Sequence, residues 1–345
     1  MQGMDEYALA KYKGDSKSLK MRDLVCLCHP KPINHEQAEL WKRCLEGKLE
    51  TPITWETQLS ANGNNAETWE MLIDSKKVGY MAMLRNLRNL LKAQPANLDK
   101  ALAYLSDPAA VRKSKQLPFR FLSAYRSISE AGSRVSSKVL DTLEDAISAS
   151  VDNLPKIPGK TVIAIDTSGS MSSNISENSD IRCCEIAMLL GMIANQICED
   201  AIVYTFDDVV RQLNVSHRDG LLSATTRYAA HGGGTNMNLP FEVMIRDRLK
   251  ADRIIVLSDN MCNTGAHFSW RYQCDPVQVI ADRYRRETGN NLWVHAIDLQ
   301  GYGTQQFHGS KTNIIAGWSE KIFEFILLAE QGEETLEKRI TDYIW

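Results

Sequence analysis

The hydrophobic pattern changes its period part-way along the chain, and that change limits the possible folds more than any single motif does. Up to about residue 153, apolar residues recur three and four apart. In VGYMAMLRNLRNLLKA (78–93), Met81, Leu84, Leu87, Leu90 and Leu91 share one helical face, with Arg85, Arg88 and Lys92 on the other. NLDKALAYLSD (97–107) follows, with Asn97 as a candidate N-cap and Leu98, Ala101, Leu102 and Leu105 as its stripe. Asp107-Pro108 reads as a fresh cap with proline at the first helical position. PFRFLSAYRSISEAG (118–132) and SKVLDTLEDAISASV (137–151) complete the series. Short amphipathic helices in a row cannot bury their own stripes, so antiparallel stacking as a bundle or an α-solenoid of HEAT-like repeats is expected over 1–153.

LPKIPGK (154–160) is punctuated as a linker, and from Thr161 the period is lost. TVIAID (161–166), AIVYTF (201–206), RIIVLS (253–258) and NLWVHAID (291–298) are unbroken apolar, β-rich runs. Such runs fit parallel strands buried on both faces. With helical segments between them, clearest at 181–200, they predict a doubly wound α/β domain over 161–345. The fold class expected is therefore α followed by α/β.

A doubly wound sheet binds ligands at the carboxyl ends of its strands. Three loops fall there: Asp166-Thr-Ser-Gly-Ser170, Gly232-Gly-Gly-Thr235 and Ser258-Asp259-Asn260. They offer two carboxylates and three hydroxyls, namely Asp166, Ser168, Ser170, Thr235 and Asp259, without His or Cys. A hard-oxygen set suits Mg²⁺ first, with Mn²⁺ or Ca²⁺ as alternatives, and disfavours zinc. Two carboxylates leave part of the coordination to water and one position open to an acidic ligand. GGGT lacks the Lys-Ser/Thr of a P-loop, and no Ser, His and acid combination has the context of a nucleophile elbow. Asp298 after the last run is a candidate second acid near the site but reads as structural, and His231 beside the glycines faces either a ligand or solvent. Metal-assisted phosphoester hydrolysis lacks a general base beyond the ligands themselves. The expectation is a protein that is not an enzyme.

Charge separates the halves too. Residues 1–159 carry 23 basic against 19 acidic side chains, and residues 160–345 carry 17 against 24. Lys11, Lys13, Lys17, Lys20 and Arg22 cluster within twelve residues, with His29 and Lys31 close behind. Such cations suit phosphates, through charge and counterion release. Eight cysteines without a CxxC pair read as reduced thiols of a cytoplasmic protein. No apolar run approaches the roughly 18 to 20 residues that a membrane helix needs.

DTSGS, GGGT and SDN in this order resemble the metal-ion-dependent adhesion site of von Willebrand factor A domains. YALAKYKGDSKSLKMRDLVCLCHPKP (7–32) and TWEMLIDSKKVGYMAMLRNLRNL (68–90) resemble the TROVE module of Ro autoantigen ribonucleoproteins, which precedes an A domain in that family. The resemblance implies binding of small structured, Y-like RNA and of misfolded RNA through a basic helical surface. No DNA or membrane partner is implied, and the A domain would dock a protein ligand that donates an acidic group. Lys11 and His29 match family positions that contact RNA, and Lys13, Lys17, Arg22, Lys31, Arg85, Arg88 and Arg120 are further candidates. The chain enters the module near its middle, so the amino-terminal repeats are expected to be absent and lateral RNA binding is implied rather than threading through a closed ring. The competing reading is a metal-dependent adhesion or assembly module whose helices are only a scaffold.

Overall fold

The computed structural model describes residues 4–11, 20–50, 53–129, 134–177, 179–216, 219–228, 232–261, 277–301, 306–319 and 321–332. These divide into two compact units, Met1–Ala101 and Leu102–Trp345.

The first unit is helical. Its elements are α1 (Glu6–Lys11), α2 (Met21–Cys28), α3 (His35–Leu45), α4 (Trp55–Asn62), α5 (Ala66–Asp74), α6 (Tyr80–Arg85), α7 (Leu87–Ala93) and the start of α8 (Leu98–Ser106). Short side chains start these helices: Asn34 accepts from the Gln37 amide at 2.9 Å, and Asn65 from that of Thr68 at 2.9 Å. The stripe expected over 78–93 forms with one change. Asn86 interrupts the helix and donates its side-chain amide to the Ala82 carbonyl at 2.9 Å, so two short helices replace one. Leu84, Leu87 and Leu90 are buried as expected, but Met83 is buried with them in place of Met81. Trp69 sits fully buried among them, and its indole N–H donates to Asn64 Oδ1 at 2.6 Å. Asn97 does not cap α8; its side-chain amide reaches the Glu70 carbonyl at 3.0 Å and joins α8 to α5.

The second unit contains the sheet and three more helices from the helical half, α9 (Pro108–Ser114), α10 (Pro118–Ser129) and α11 (Arg134–Val151). Asp107 caps α9 as the sequence indicates, accepting from the Ala109 and Ala110 amides at 3.3 and 3.0 Å. The sheet comprises β1 (Ile157–Asp166), β2 (Cys198–Phe206), β3 (Val210–Leu213), β4 (Arg253–Ser258), β5 (Trp293–Asp298) and β6 (Thr312–Ala316). Its order is β3-β2-β1-β4-β5-β6, parallel throughout except that β3 runs antiparallel to β2. The linker expected over 154–160 is partly sheet, since β1 begins at Ile157.

Period-two alternation assigns each face of the central strands. Val162 and Ala164 join Phe241, Met244, Ile280 and Tyr284 on the face covered by α14 (Asn238–Arg246) and α15 (Val277–Thr288). Ile163 and Ile165 face α12 (Cys183–Ile197), where Gly191 lies so close that a Cβ would strike the Ile165 side chain. Apart from Gln196, all of α12 is buried, because α13 (Leu221–Tyr228) packs on its outer side and against α10 and α11. Two carboxylates secure that cover. Glu144 of α11 accepts from the Leu222 and Ser223 amides at 3.0 and 2.7 Å, capping α13 from another helix. Arg126 of α10 donates to Glu185 Oε2 at 2.9 Å and to the Asp180 carbonyl at 2.5 Å, at the start of α12.

Below the sheet, Arg253 is buried and forms a two-pronged pair with Glu330 of α16 (Lys321–Glu330) at 2.6 and 2.9 Å. Asn313 offers its amide N–H to His295 Nδ1 at 3.2 Å, so the neutral ring carries its proton on Nε2 and donates to Glu330 Oε1 at 3.0 Å. Burial holds the His295 pKa below the usual histidine range, while the two cationic and imidazole partners hold Glu330 low against its own burial. Glu330→Ala is expected to destabilise this unit by about 3–5 kcal/mol in urea titrations, because it strands the buried Arg253 charge; Glu330→Gln should cost less.

Candidate metal centre

β1 and β4 are adjacent parallel strands whose connections leave in opposite directions, and their carboxyl ends form the crevice of the fold. Asp166 is the last residue of β1, and Ser258 is the last of β4. The Ser258 hydroxyl donates to Asp166 Oδ2 at 2.6 Å, and the Ser168 amide donates to Oδ1 at 2.9 Å. The turn this creates places the Ser168 and Ser170 hydroxyls 3.3 Å apart. Asp166, Ser168, Thr235 and Asp259 are all buried.

The glycine loop joins the first loop through backbone bonds: the Gly169 amide donates to the Gly233 carbonyl at 2.9 Å, and that of Gly232 to the Thr167 carbonyl at 3.0 Å. From the β2–β3 turn, Asp208 accepts from the Gly234 amide at 2.8 Å, and the Asp207 carbonyl accepts from the Asn236 amide at 3.0 Å. Gly233 has φ 108°, open to glycine at no steric cost. Any Cβ there would also meet the Asp208 carboxylate. Asp208 and Ser258 therefore position the site although sequence reading did not single them out; Ser258 was visible only as the residue before Asp259, and Asp208 gives no local signal.

Two features bear on whether these residues would suit a hard cation. Asp259 Oδ1 accepts from the Met261 amide at 3.1 Å, but Oδ2 is buried and meets no hydrogen-bond donor among the described residues. An ionised buried oxygen without a donor is costly unless a cation satisfies it. Burial pushes the Asp166 carboxyl up to about 6 against the hydrogen bonds from Ser168 and Ser258, and the Asp259 charge pushes the same way. The other acids nearby are already engaged. Asp207 holds Arg211 at 2.9 Å, and Asp298 accepts from the Gln300 and Gly301 amides at 3.1 and 2.8 Å, the structural role expected for it. Among the described residues no three His, Cys, Asp or Glu side chains gather anywhere. His231 lies outside the described residues.

The other candidates lie on helices. Arg22, His29, Lys31, Arg85, Arg88 and Arg120 are exposed. His29 ends α2 in the left-handed conformation, φ 41°, with its amide on the Val25 carbonyl at 3.1 Å. Lys11 is the last residue of α1, but its side chain lies outside the described residues, as do Lys13 and Lys17.

Comparison with known proteins matches a TROVE domain over residues 42–200 and a Ro60 vWA domain over residues 160–297. This chain is a Ro-type TROVE protein with a von Willebrand factor A domain. It is 27% identical over 227 residues to RNA-binding protein RO60 of Deinococcus radiodurans, covering 61% of this chain and 41% of that protein. It is 25% identical over 253 residues to RNA-binding protein RO60 of Caenorhabditis elegans, covering 69% and 38%. Over 93 residues, 26% of the chain, it is 45% identical to telomerase protein component 1 of Mus musculus, of which that is 4%. The chain thus spans about two fifths of these RO60 relatives and far less of the telomerase component. The crystal structure of the Deinococcus radiodurans RO protein superposes with a TM-score of 0.63 at 19% identity, over 94% of this chain and 75% of that one. The fold is therefore shared over 94% of this chain, whereas Arg22, His29 and Lys31 precede the matched TROVE residues and Arg85, Arg88 and Arg120 fall within them.

The raised Asp166 pKa gives a pH signature. The folded protein keeps that proton to about pH 6, whereas the unfolded chain releases it near the ordinary aspartate value of 3.8. Between those values the folded state binds more protons, so stability falls as pH rises. In chelator-treated protein the melting temperature should drop from pH 5 to pH 7, Asp166→Asn should flatten the slope, and Mg²⁺ at pH 7 should restore the temperature in the parent protein alone.

Proposed function

We propose that this chain is a non-catalytic RNA-binding protein that holds small structured, Y-like RNA, and misfolded RNA, laterally on its helical surface. The observation that carries this reading is the joint match to a TROVE domain and a Ro60 vWA domain, shared with two relatives named RNA-binding protein RO60. Exposed cations support it physically. His29, Arg85, Arg88 and Arg120 stand in solvent, where their charge or ring can meet phosphates and bases. Lys11 and His29 are the first candidates for direct contact, followed by Lys13, Lys17, Arg22 and Lys31.

In the same reading the A domain holds Mg²⁺, with Mn²⁺ or Ca²⁺ as substitutes, through Asp166, Ser168, Ser170, Thr235 and Asp259. Bound there, the cation would supply a Lewis-acidic position for a carboxylate of a protein ligand. The chain's own residues hold the three loops together, exclude water from Asp166 and keep Asp259 Oδ2 free for the cation. Among the described residues Asp207, Asp208 and Asp298 are engaged with a cation or with loop amides, and the reading is one of docking rather than catalysis. A cytoplasmic setting suits the free thiols of Cys26, Cys28, Cys44, Cys183, Cys184 and Cys198, the last four buried.

Filter binding with a small structured RNA over a salt series tests the first part. Affinity should fall steeply with salt, and Lys11→Gln with His29→Ala should weaken it by about tenfold. Binding that is undetectable, or insensitive to salt and to both changes, would sink the reading. The alternative, a metal-dependent assembly module with scaffold helices, is favoured by the orphan oxygen of Asp259 alone. Capture of a protein that is lost with chelator or with Asp166→Ala, without any RNA recovered, would install it instead.

A further inference from the structure

We propose a second RNA contact, for an unpaired nucleotide, where the start of α10 meets Trp318 beyond β6. The inference rests on the RNA-binding reading above and shares Arg120 with it, but adds a groove that reading does not use. Residues 108–129 hold five basic side chains and no acidic one. Arg126 is spent on Glu185. Arg112, Lys113, Lys115 and Arg120 are exposed, and none forms an ion pair with a described residue. Three of them have an ordinary explanation. Arg112 and Lys113 occupy the last turn of α9, and Lys115 ends it in the left-handed conformation, φ 50°; the carbonyl end of a helix favours cations.

Arg120 has no such explanation. It lies in the first turn of α10, where the helix dipole opposes a cation and where no acidic residue offsets it. Its guanidinium instead lies 4.8 Å from the centroid of the Phe119 ring, and Phe119 packs edge-on against Trp318 with centroids 4.8 Å apart at 88°. Trp318 in turn lines a groove of about 470 Å³ together with Ile315, Ile322 and Phe325. That volume falls within the range of small-ligand sites. The charge beside the groove is settled, since Lys321 pairs with Glu324 at 2.6 Å.

Exposed cations beside an arginine laid over one ring, with a second ring edge-on to it lining an apolar groove, are the chemistry of single-stranded RNA recognition. Phosphates follow the cations, and bases find π-faces. A duplex would satisfy the cations but has no free base for the groove. The geometry therefore assigns the backbone to Lys113, Lys115 and Arg120, and one unstacked base to the Trp318 groove.

The test uses the full chain with two fluorescein-labelled probes, a 15-nucleotide oligouridylate and a blunt RNA hairpin without single-stranded ends. Trp318→Ala should weaken oligouridylate binding by about tenfold, and Trp318→Phe should recover most of it. Because Trp318→Ala could unfold its surroundings, the exposed triple change Lys113→Gln, Lys115→Gln, Arg120→Gln provides an independent arm. It should lower the log–log salt slope for oligouridylate by about 2. The proposal is overturned if neither arm alters oligouridylate binding while hairpin binding still depends on Lys11 and His29; the Ro-type reading then survives alone. It is likewise overturned if the groove captures a protein in a Trp318-dependent way and ignores oligouridylate. If neither probe binds the parent protein, both readings fail.

Discussion

Helix α12 is predominantly apolar and is buried all round except at Gln196, and a helix of that kind must be covered on every side. The sheet covers its inner flank, with Gly191 allowing β1 and α12 to approach closely. The outer flank receives α13, which in turn packs against α10 and α11. The remaining architecture follows from this constraint. It draws the last helices of the helical half into the compact unit of the sheet, and it seats the loop after β1 directly before a buried helix. There the Asp166 carboxylate has lost water on all sides and must find its partners within the fold.

Most of the fold was legible because burial on both faces leaves an unmistakable trace. β1, β2, β4 and β5 are interior strands and read as continuous apolar runs. β3 (VRQL) and β6 (TNIIA) are the sheet's two edges, short and half-exposed, and carry no such run. The helical stripe over 78–93 was legible in its residues but not in its break, since Asn86 stops the helix by a side-chain bond to its own preceding turn. The cap at Asp107 was correctly signalled by the proline that follows. Asn97 is likewise a short polar residue before an apolar stripe, yet a carbonyl on α5 claims its side chain.

The candidate site divides along similar lines. Its five oxygen donors were legible from residue type and position at strand ends. Their supports were not, because each comes from a distant segment: Ser258 across the sheet, Asp208 from the β2–β3 turn, and Gly233 through its carbonyl. Single-chain patterns report which residues follow one another, whereas these bonds depend on which loops meet. The basic residues of the helical surface were legible as charge, but charge alone cannot say which cations are already occupied. Arg126 and Arg120 look alike in sequence; one is locked to Glu185 and the other rests on an aromatic ring.

The cap that Glu144 places on α13 bears on how such a protein can evolve. Composition suggests a seam near residues 154–160, where a helical module could be exchanged for another. The first amides of α13 nevertheless depend on a carboxylate from α11, and the entry to α12 depends on a guanidinium from α10. A recombination event at that seam would deliver a sheet domain with an uncapped helix and a buried glutamate left with Arg182 as its one cationic partner among the described residues. The two halves are therefore heritable as one piece: α10 and α11 must travel with the A domain, and any shuffling of the helical repeats has to occur upstream of them.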